Sequence, residues 1–314
     1  MKKQPHDNLR SDKCCADNLN IDVIVRTMAH SARGSELRRA IESARRQAGI
    51  SVHIIVVVNG RSRDDAVMTY LESQSDVTVV AFNEPNAGRA LVEGRRKVQA
   101  PFFTFLDDDD EFVVDALGKV LVNEFDTSDW DVLVTNRYRR SGGVFGIESV
   151  DFELDASNPR IRVLYSNWLA AGRSVFRSKT VTASLFDVGR SHHEWTHIAL
   201  RLATGHYRMF FVNEPTAYYN DTPGSESKLY LHHTEELRLL EDVRHDIEMD
   251  REMRRIVSKK RANTLHRLAD ANLNSGHIMR AWGFHLRSLT CPSFLQYVLF
   301  TRKLIWPSVS CFRS

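Results

Sequence analysis

The chain has 314 residues, 42% hydrophobic and 26% charged, an ordinary balance for a globular protein and more length than one minimal core needs. A net charge of +3 is too small to indicate nucleic-acid binding. Four cysteines without a CxxC pair argue against structural zinc and a disulfide framework, so a reducing cytoplasm is the expected compartment.

No apolar run approaches the roughly 20 residues that span a bilayer. Residues 1–20 are polar, lack the apolar centre of a signal peptide and read as a disordered lead. Residues 21–27 read as a first strand, rich in β-branched side chains. Ser35 is placed to cap a helix with Leu37, Ala40, Ile41, Ala44 and Ala48 on one face, ended by Gly49. Residues 52–58 are nearly all apolar, the pattern of a parallel strand buried on both faces, and Asn59-Gly60 closes it. A helix over 64–73, a strand over 77–82 and a helix from Asn86-Ala87-Gly88-Arg89 to about Val98 follow.

Residues 102–106 form a short aromatic strand that runs into Asp107-Asp108-Asp109-Asp110-Glu111. Carboxylates so close repel one another unless solvent or a cation screens them. Two readings stand at this point: a hard divalent cation carrying a phosphate, or a solvated acidic loop capping the next helix. A helix over 113–125 and a strand over 131–135 complete an alternation that predicts a mainly parallel, doubly wound α/β sheet. Right-handed crossovers then bring the loops after Thr27, Val58, Phe82 and Leu106 to one edge, where such sheets bind ligands.

Gly142-Gly143 marks a hairpin tip between 137–140 and 144–147. Trp168 and Ser174-Val175-Phe176 read as short buried pieces. His193-Glu194-Trp195 precedes a helix, 207–212 a strand, and 218–225 a turn-rich loop. From about residue 227 helical spacing dominates, so the expected division is a lead (1–20), an α/β domain (21–226) and a helical appendage (227–314). The appendage carries seven Lys/Arg between Arg251 and Arg267. Its aromatic segment 294–306 with Arg302-Lys303 suits either a membrane interface or packing on the protein.

In this order, the first strand ending at Arg26-Thr27, the second at Asn59-Gly60, the Asn86-x-Gly88 turn, Leu106-Asp107-Asp108-Asp109-Asp110, Ser174–Ser178, Phe186-Asp187 and the carboxylate before a helix at Glu194 resemble a family-2-type inverting glycosyltransferase with a GT-A fold. The resemblance spans about residues 21–227. It departs where Arg26 replaces a usual proline, Val58 a frequent aspartate, and His193-Glu194 a Glu-Asp pair.

The resemblance implies sugar transfer from a nucleotide-sugar, a UDP-sugar foremost, to a saccharide or lipid-linked saccharide, in bacterial surface polysaccharide or lipopolysaccharide assembly. It implies Mn²⁺ or Mg²⁺ on Asp109 and Asp107, with Asp107 also toward the ribose. It gives the general base to Glu194, the donor contacts to Thr27, Asn59 and Arg89, with Arg95 and Arg96 competing for the last role, and the acceptor contacts to His193, Trp195 and Trp168. Asn220-Asp221 is a further candidate ligand. Each has a plainer reading: Glu194 as a helix-start carboxylate, Asn59 as a turn residue, Arg89 as a solvated helix residue, the tryptophans as core. The competing functions are a nucleotidyltransferase, which wants a more glycine-rich loop than 28–34, and a non-catalytic sugar-nucleotide-binding protein.

Overall fold

The computed structural model describes residues 19–125, 129–149, 151–221, 230–291 and 294–311. Most of the expected lead, the end of the 218–225 turn and the expected boundary near residue 226 lie outside the described residues.

The sheet runs in the order β3 (Val77–Phe82), β2 (Ser51–Asn59), β1 (Asn20–Thr27), β4 (Phe102–Asp107), β8 (Ser174–Arg177), β6 (Val132–Ser141), β9 (Met209–Asp221) and β5 (Glu111–Phe112), and β7 (Val144–Ile147) pairs with the end of β6. Its first half is the expected parallel unit: β1 (Asn20–Thr27), β2 (Ser51–Asn59), β3 (Val77–Phe82) and β4 (Phe102–Asp107). Alternate side chains feed two cores. Ile24, Ile55, Val57, Phe103 and Phe105 face one, while Val23, Val25, Ile54, Val56 and Leu106 face the other. Burial on both faces explains the continuous apolar runs. Helices α1 (Gly34–Arg45), α2 (Asp65–Glu72) and α3 (Ala87–Lys97) make the crossovers. Asp64 caps α2 and Asn86 caps α3 through their side chains. Ser35 is not a cap: α1 begins at Gly34 and ends at Arg45, short of Gly49.

The second half is mixed. β5 (Glu111–Phe112) precedes α4 (Ala116–Glu124). β6 (Val132–Ser141) runs straight into the hairpin with β7 (Val144–Ile147), whose tip glycines have φ of 55° and 82°, the backbone a two-residue turn demands. Two short helices, α5 (Phe152–Ser157) and α6 (Pro159–Arg162), lead to β8 (Ser174–Arg177), antiparallel to β4 and β6. β9 (Met209–Asp221) is longer than the expected 207–212 strand and absorbs the start of the expected 218–225 loop. It pairs parallel to β6, with register shifts around Asn136 that bring Pro215 opposite it. A bulge tolerates a proline that an even ladder would not.

Helix α7 (Glu194–Thr204) lies on the first core, together with α8 (Tyr230–Asp246) and the start of α9 (Arg251–Asn274). Leu239, Leu240, Val243, Met253 and Val257 from these helices share that core with Phe105, Trp168 and Trp195. The rest of α9, with α10 (Ile278–Leu289) and α11 (Phe300–Cys311), encloses two smaller clusters. At the start of α3 a Cβ on Gly88 would lie 2.0 Å from the Arg190 carbonyl oxygen. Only glycine allows that approach, which brings the segment leading to Glu194 against the crossover after β3.

Candidate active site

Arg26 is, with Asp22, one of two charged residues in β1, and parallel register sets it opposite Asp107. Its guanidinium donates to Asp107 Oδ1 from Nε at 3.0 Å and Nη2 at 2.6 Å. Its remaining nitrogen, Nη1, donates to Glu194 Oε1 at 2.9 Å. Glu194 opens α7 behind His193, which holds a left-handed φ of 56°. One guanidinium thus joins the end of β4 to the start of α7. Burial disfavours its charge, but Asp107 and Glu194 more than offset this, and its proton is held more tightly than usual.

The acidic turn sorts its carboxylates. Asp107 stays about a third exposed, at 35%. Asp108 turns inward, accepts a hydrogen bond from Thr27 Oγ1 at 2.7 Å and pairs with Arg33 Nη1 at 3.2 Å. Asp109 pairs with Arg33 Nη2. Asp110 is buried, accepts the Asn220 backbone N–H at 3.0 Å and lies 3.9 Å from Arg137. The Asn220 side chain donates to the Asp109 carbonyl at 2.5 Å, so β9 clamps the turn through the protein. Asp221 pairs instead with Arg139 and Ser141.

Burial raises Asp108 to about 6, against the pull of Arg33 and Thr27. It also raises Asp109, where Arg33 opposes it and Asp107 adds repulsion, and lifts Asp110 well above the carboxylate range with Asp107 as a further cause. For Asp108 the folded chain binds the proton more tightly than the unfolded chain, whose value is the ordinary 3.8. Its contribution is therefore full below pH 3.8 and is lost as pH rises through about 6. That gap corresponds to roughly 3 kcal/mol. Ligand-free protein should lose melting temperature between pH 5 and pH 7, and Asp108→Asn should flatten the loss. Parallel melting curves for the two proteins across that range would remove Asp108 as its source.

Thr27 and Asn59 lie at the expected sheet edge but brace it. Thr27 Oγ1, besides serving Asp108, accepts the Ala29 N–H at 2.9 Å. Asn59 Nδ2 donates to the Thr27 carbonyl at 3.3 Å. Arg89 sits at the same edge, half-exposed over the Phe82 ring and beside Glu84 and Glu93, without touching the acidic turn. Arg95 donates to the Ser178 and Val181 carbonyls and Arg96 pairs with Glu93, so neither reaches the turn.

Trp168 is a correction. It is fully buried and its indole N–H donates to the Pro159 carbonyl, so it cannot stack on an acceptor. Trp195 is buried too, edge-on to Phe105 with Arg26 over its ring at 5.8 Å, and its indole N–H has no hydrogen-bond partner among the described residues. His193 lines a cavity of about 130 Å³ beside α7, with Thr196, Asn167, Glu236 and Lys260.

Arg26, Arg33 and Arg137 carry the site's positive charge, and sequence reasoning gave none of them a role. A signal existed for Arg26: an arginine inside a strand buried on both faces needs a nearby carboxylate. No comparable signal marked Arg33, whose partners lie far along the chain.

The donor set of Asp107 and Asp109 consists of hard oxygens suited to Mg²⁺ or Mn²⁺. Arg26 already pairs with Asp107 and Arg33 with Asp109. Among the described residues no three His, Cys, Asp or Glu side chains converge into a full cage. The residues fit a cation held by one or two carboxylates and completed by substrate phosphates, a common mode for Mg²⁺.

The model of glycosyl transferase family 2 matches residues 24–184, about half of the chain. The chain belongs to that family. Among solved structures it is similar to S. aureus TarS 1-349, at 13% identity over 81% of this chain and 73% of that one, with a TM-score of 0.55. It is also similar to S. aureus TarS 1-349 in complex with UDP-GlcNAc, at 16% identity over 89% of this chain and 81% of that one, again with a TM-score of 0.55. A likeness at these identities establishes the fold, which is GT-A, as the sequence motifs imply. A search of curated proteins gave no significant match.

Proposed function

We propose that the protein is a metal-dependent inverting glycosyltransferase that moves one sugar from a nucleoside-diphosphate sugar to a hydroxyl of a saccharide or lipid-linked saccharide. The observation that carries this reading is the Arg26 bridge, which holds Asp107 and Glu194 at one site. Glu194 takes the proton of the acceptor hydroxyl as its oxygen attacks the anomeric carbon. The new C–O bond forms on one face of the sugar while the bond to the diphosphate breaks on the other, which inverts the centre. Arg26 keeps the Glu194 carboxylate oriented toward the acid-lined crevice.

Asp109, with Asp107, would hold Mn²⁺ or Mg²⁺, which neutralises charge developing on the leaving diphosphate. A UDP-sugar is the favoured donor, since the similar S. aureus TarS has been solved with UDP and with UDP-GlcNAc. The cavity beside His193 is a place for part of the acceptor, one residue from the base. Exposed Leu295, Leu299 and Ile305 beside Arg302 and Lys303 support peripheral contact with a membrane that carries the acceptor. No helix among the described residues is long and apolar enough to cross one. Surface polysaccharide assembly at the inner face of the cytoplasmic membrane is the setting this reading favours.

The test is a panel of nucleotide-sugars with and without Mn²⁺, read by melting temperature and by slow donor hydrolysis. Stabilisation by one nucleotide class that requires Mn²⁺, with release of its sugar, is the expected result. No shift and no hydrolysis with any donor would overturn the reading. Stabilisation without hydrolysis or transfer would leave a non-catalytic sugar-nucleotide-binding protein.

A further inference from the structure

Three arginines pair with Asp107 to Asp110, and Arg33 is unlike the other two. Arg137 is buried and Arg26 nearly so, at 11% side-chain exposure, and they project from β6 and β1. Arg33 ends a single turn of 3-10 helix, Ser31–Arg33, and its side chain is 45% exposed. The backbone beneath it is anchored: Arg33 N–H donates to the His30 carbonyl, Ala29 N–H to Thr27 Oγ1, and Asp64 N–H to the Ala29 carbonyl. The Cα is thus fixed while a long side chain lies over the turn with solvent on its outer side.

That side chain spends two separate nitrogens on two carboxylates, Nη1 on Asp108 and Nη2 on Asp109. It therefore occupies the carboxylate that the proposed function assigns first to the divalent cation. Neighbouring carboxylates repel one another, and Arg33 is the cation that stands over Asp108 and Asp109 in the ligand-free protein. Asp109 cannot give the same oxygens fully to a guanidinium and to a metal ion. A guanidinium released at this point would be free to meet a diphosphate, whose oxygens match its fork of donors.

We propose that Arg33 is an internal counter-ion that competes with the divalent cation for Asp109 and, once displaced, binds the donor diphosphate. The inference rests on the metal-dependent reading above. It makes metal and nucleotide binding help each other through one side chain: the metal frees Arg33, and the freed Arg33 holds the nucleotide.

Binding of Mn²⁺ to the full chain without nucleotide, followed by electron paramagnetic resonance of the free ion, tests the first half. Arg33→Gln should bind Mn²⁺ about tenfold more tightly than the parent, a gain that narrows in high salt. Arg39→Gln is the control, because Arg39 approaches Glu111 at 3.6 Å without touching Asp108 or Asp109. It should stay within about twofold of the parent. Calorimetric titration with UDP at saturating Mn²⁺ tests the second half, where Arg33→Gln should bind about tenfold more weakly.

Unchanged or weaker Mn²⁺ binding by Arg33→Gln overturns the proposal, as does an equal gain in Arg39→Gln, which would show a general charge effect. Unchanged UDP affinity overturns the diphosphate step. Mn²⁺-dependent transfer by the parent with no gain in Arg33→Gln sinks this inference alone. A gain in Arg33→Gln by a protein that binds no nucleotide sinks the glycosyl-transfer reading and the diphosphate step with it, and leaves only the competition for Asp109. No Mn²⁺ binding by either protein sinks both.

Discussion

Glu194→Gln should cut sugar transfer by about a thousandfold while leaving donor affinity within about twofold. The amide has nearly the shape of the carboxylate, and its oxygen can still accept from Arg26 Nη1, now 2.9 Å from Glu194 Oε1. Arg26 also keeps both of its bonds to Asp107, so the end of β4 should not move. The loss is confined to proton abstraction from the acceptor, which an amide cannot perform. Turnover in a coupled assay of nucleotide release, beside calorimetric titration of the donor, separates the two. Retained turnover above about a tenth of the parent would remove Glu194 from the base role. Lost donor binding would instead make Glu194 a support for Asp107 through Arg26.

Asp109→Asn should also abolish measurable transfer, by about a thousandfold, but through the donor. An amide is a poor ligand for a hard cation, and Asp109 is the more enclosed of the two carboxylates available to one, at 20% exposure against 35% for Asp107. Nucleotide affinity measured with Mn²⁺ should fall at least about tenfold, while affinity without metal changes little. The fold should tolerate the change, since Asn220 grips residue 109 by its backbone carbonyl. Full activity, or an equal loss of nucleotide affinity with and without metal, would sink the assignment of a metal to Asp109. The two variants therefore fail differently, one after donor binding and one at it.

The parallel half of the fold was legible because three of its four strands, β1, β2 and β4, are buried on both faces. Their residues are then nearly all apolar, and the runs at 21–27, 52–58 and 102–106 stop where the sheet meets solvent. The mixed half was less legible. β9 carries Asn213-Glu214-Pro215 in its middle, and these residues break a strand unless a partner strand shifts register to admit them, as β6 does. That accommodation is made by a chain segment far away, so local pattern ends the strand at Val212. Helical spacing after residue 227 was legible. That Leu239, Leu240 and Val243 enter the same core as Phe105 was not, because amphipathic spacing says which face is buried and not against what.

The order of motifs along the chain was enough to indicate the family and the sheet edge at the ends of β1 to β4, and it singled out Asp107, Asp109 and Glu194 as the carboxylates that the proposed chemistry would use. Tertiary structure decided how those carboxylates are held. Sequence cannot distinguish a tryptophan that stacks on a sugar from one sealed in a core, and Trp168 is sealed. Nor can it pair charges: Arg26 stands 81 residues from Asp107 and 168 from Glu194, and only the β1–β4 register and the seating of α7 bring the three together. Composition and spacing set which charges exist; an ion pair depends on distances of a few ångströms, which only the folded chain fixes.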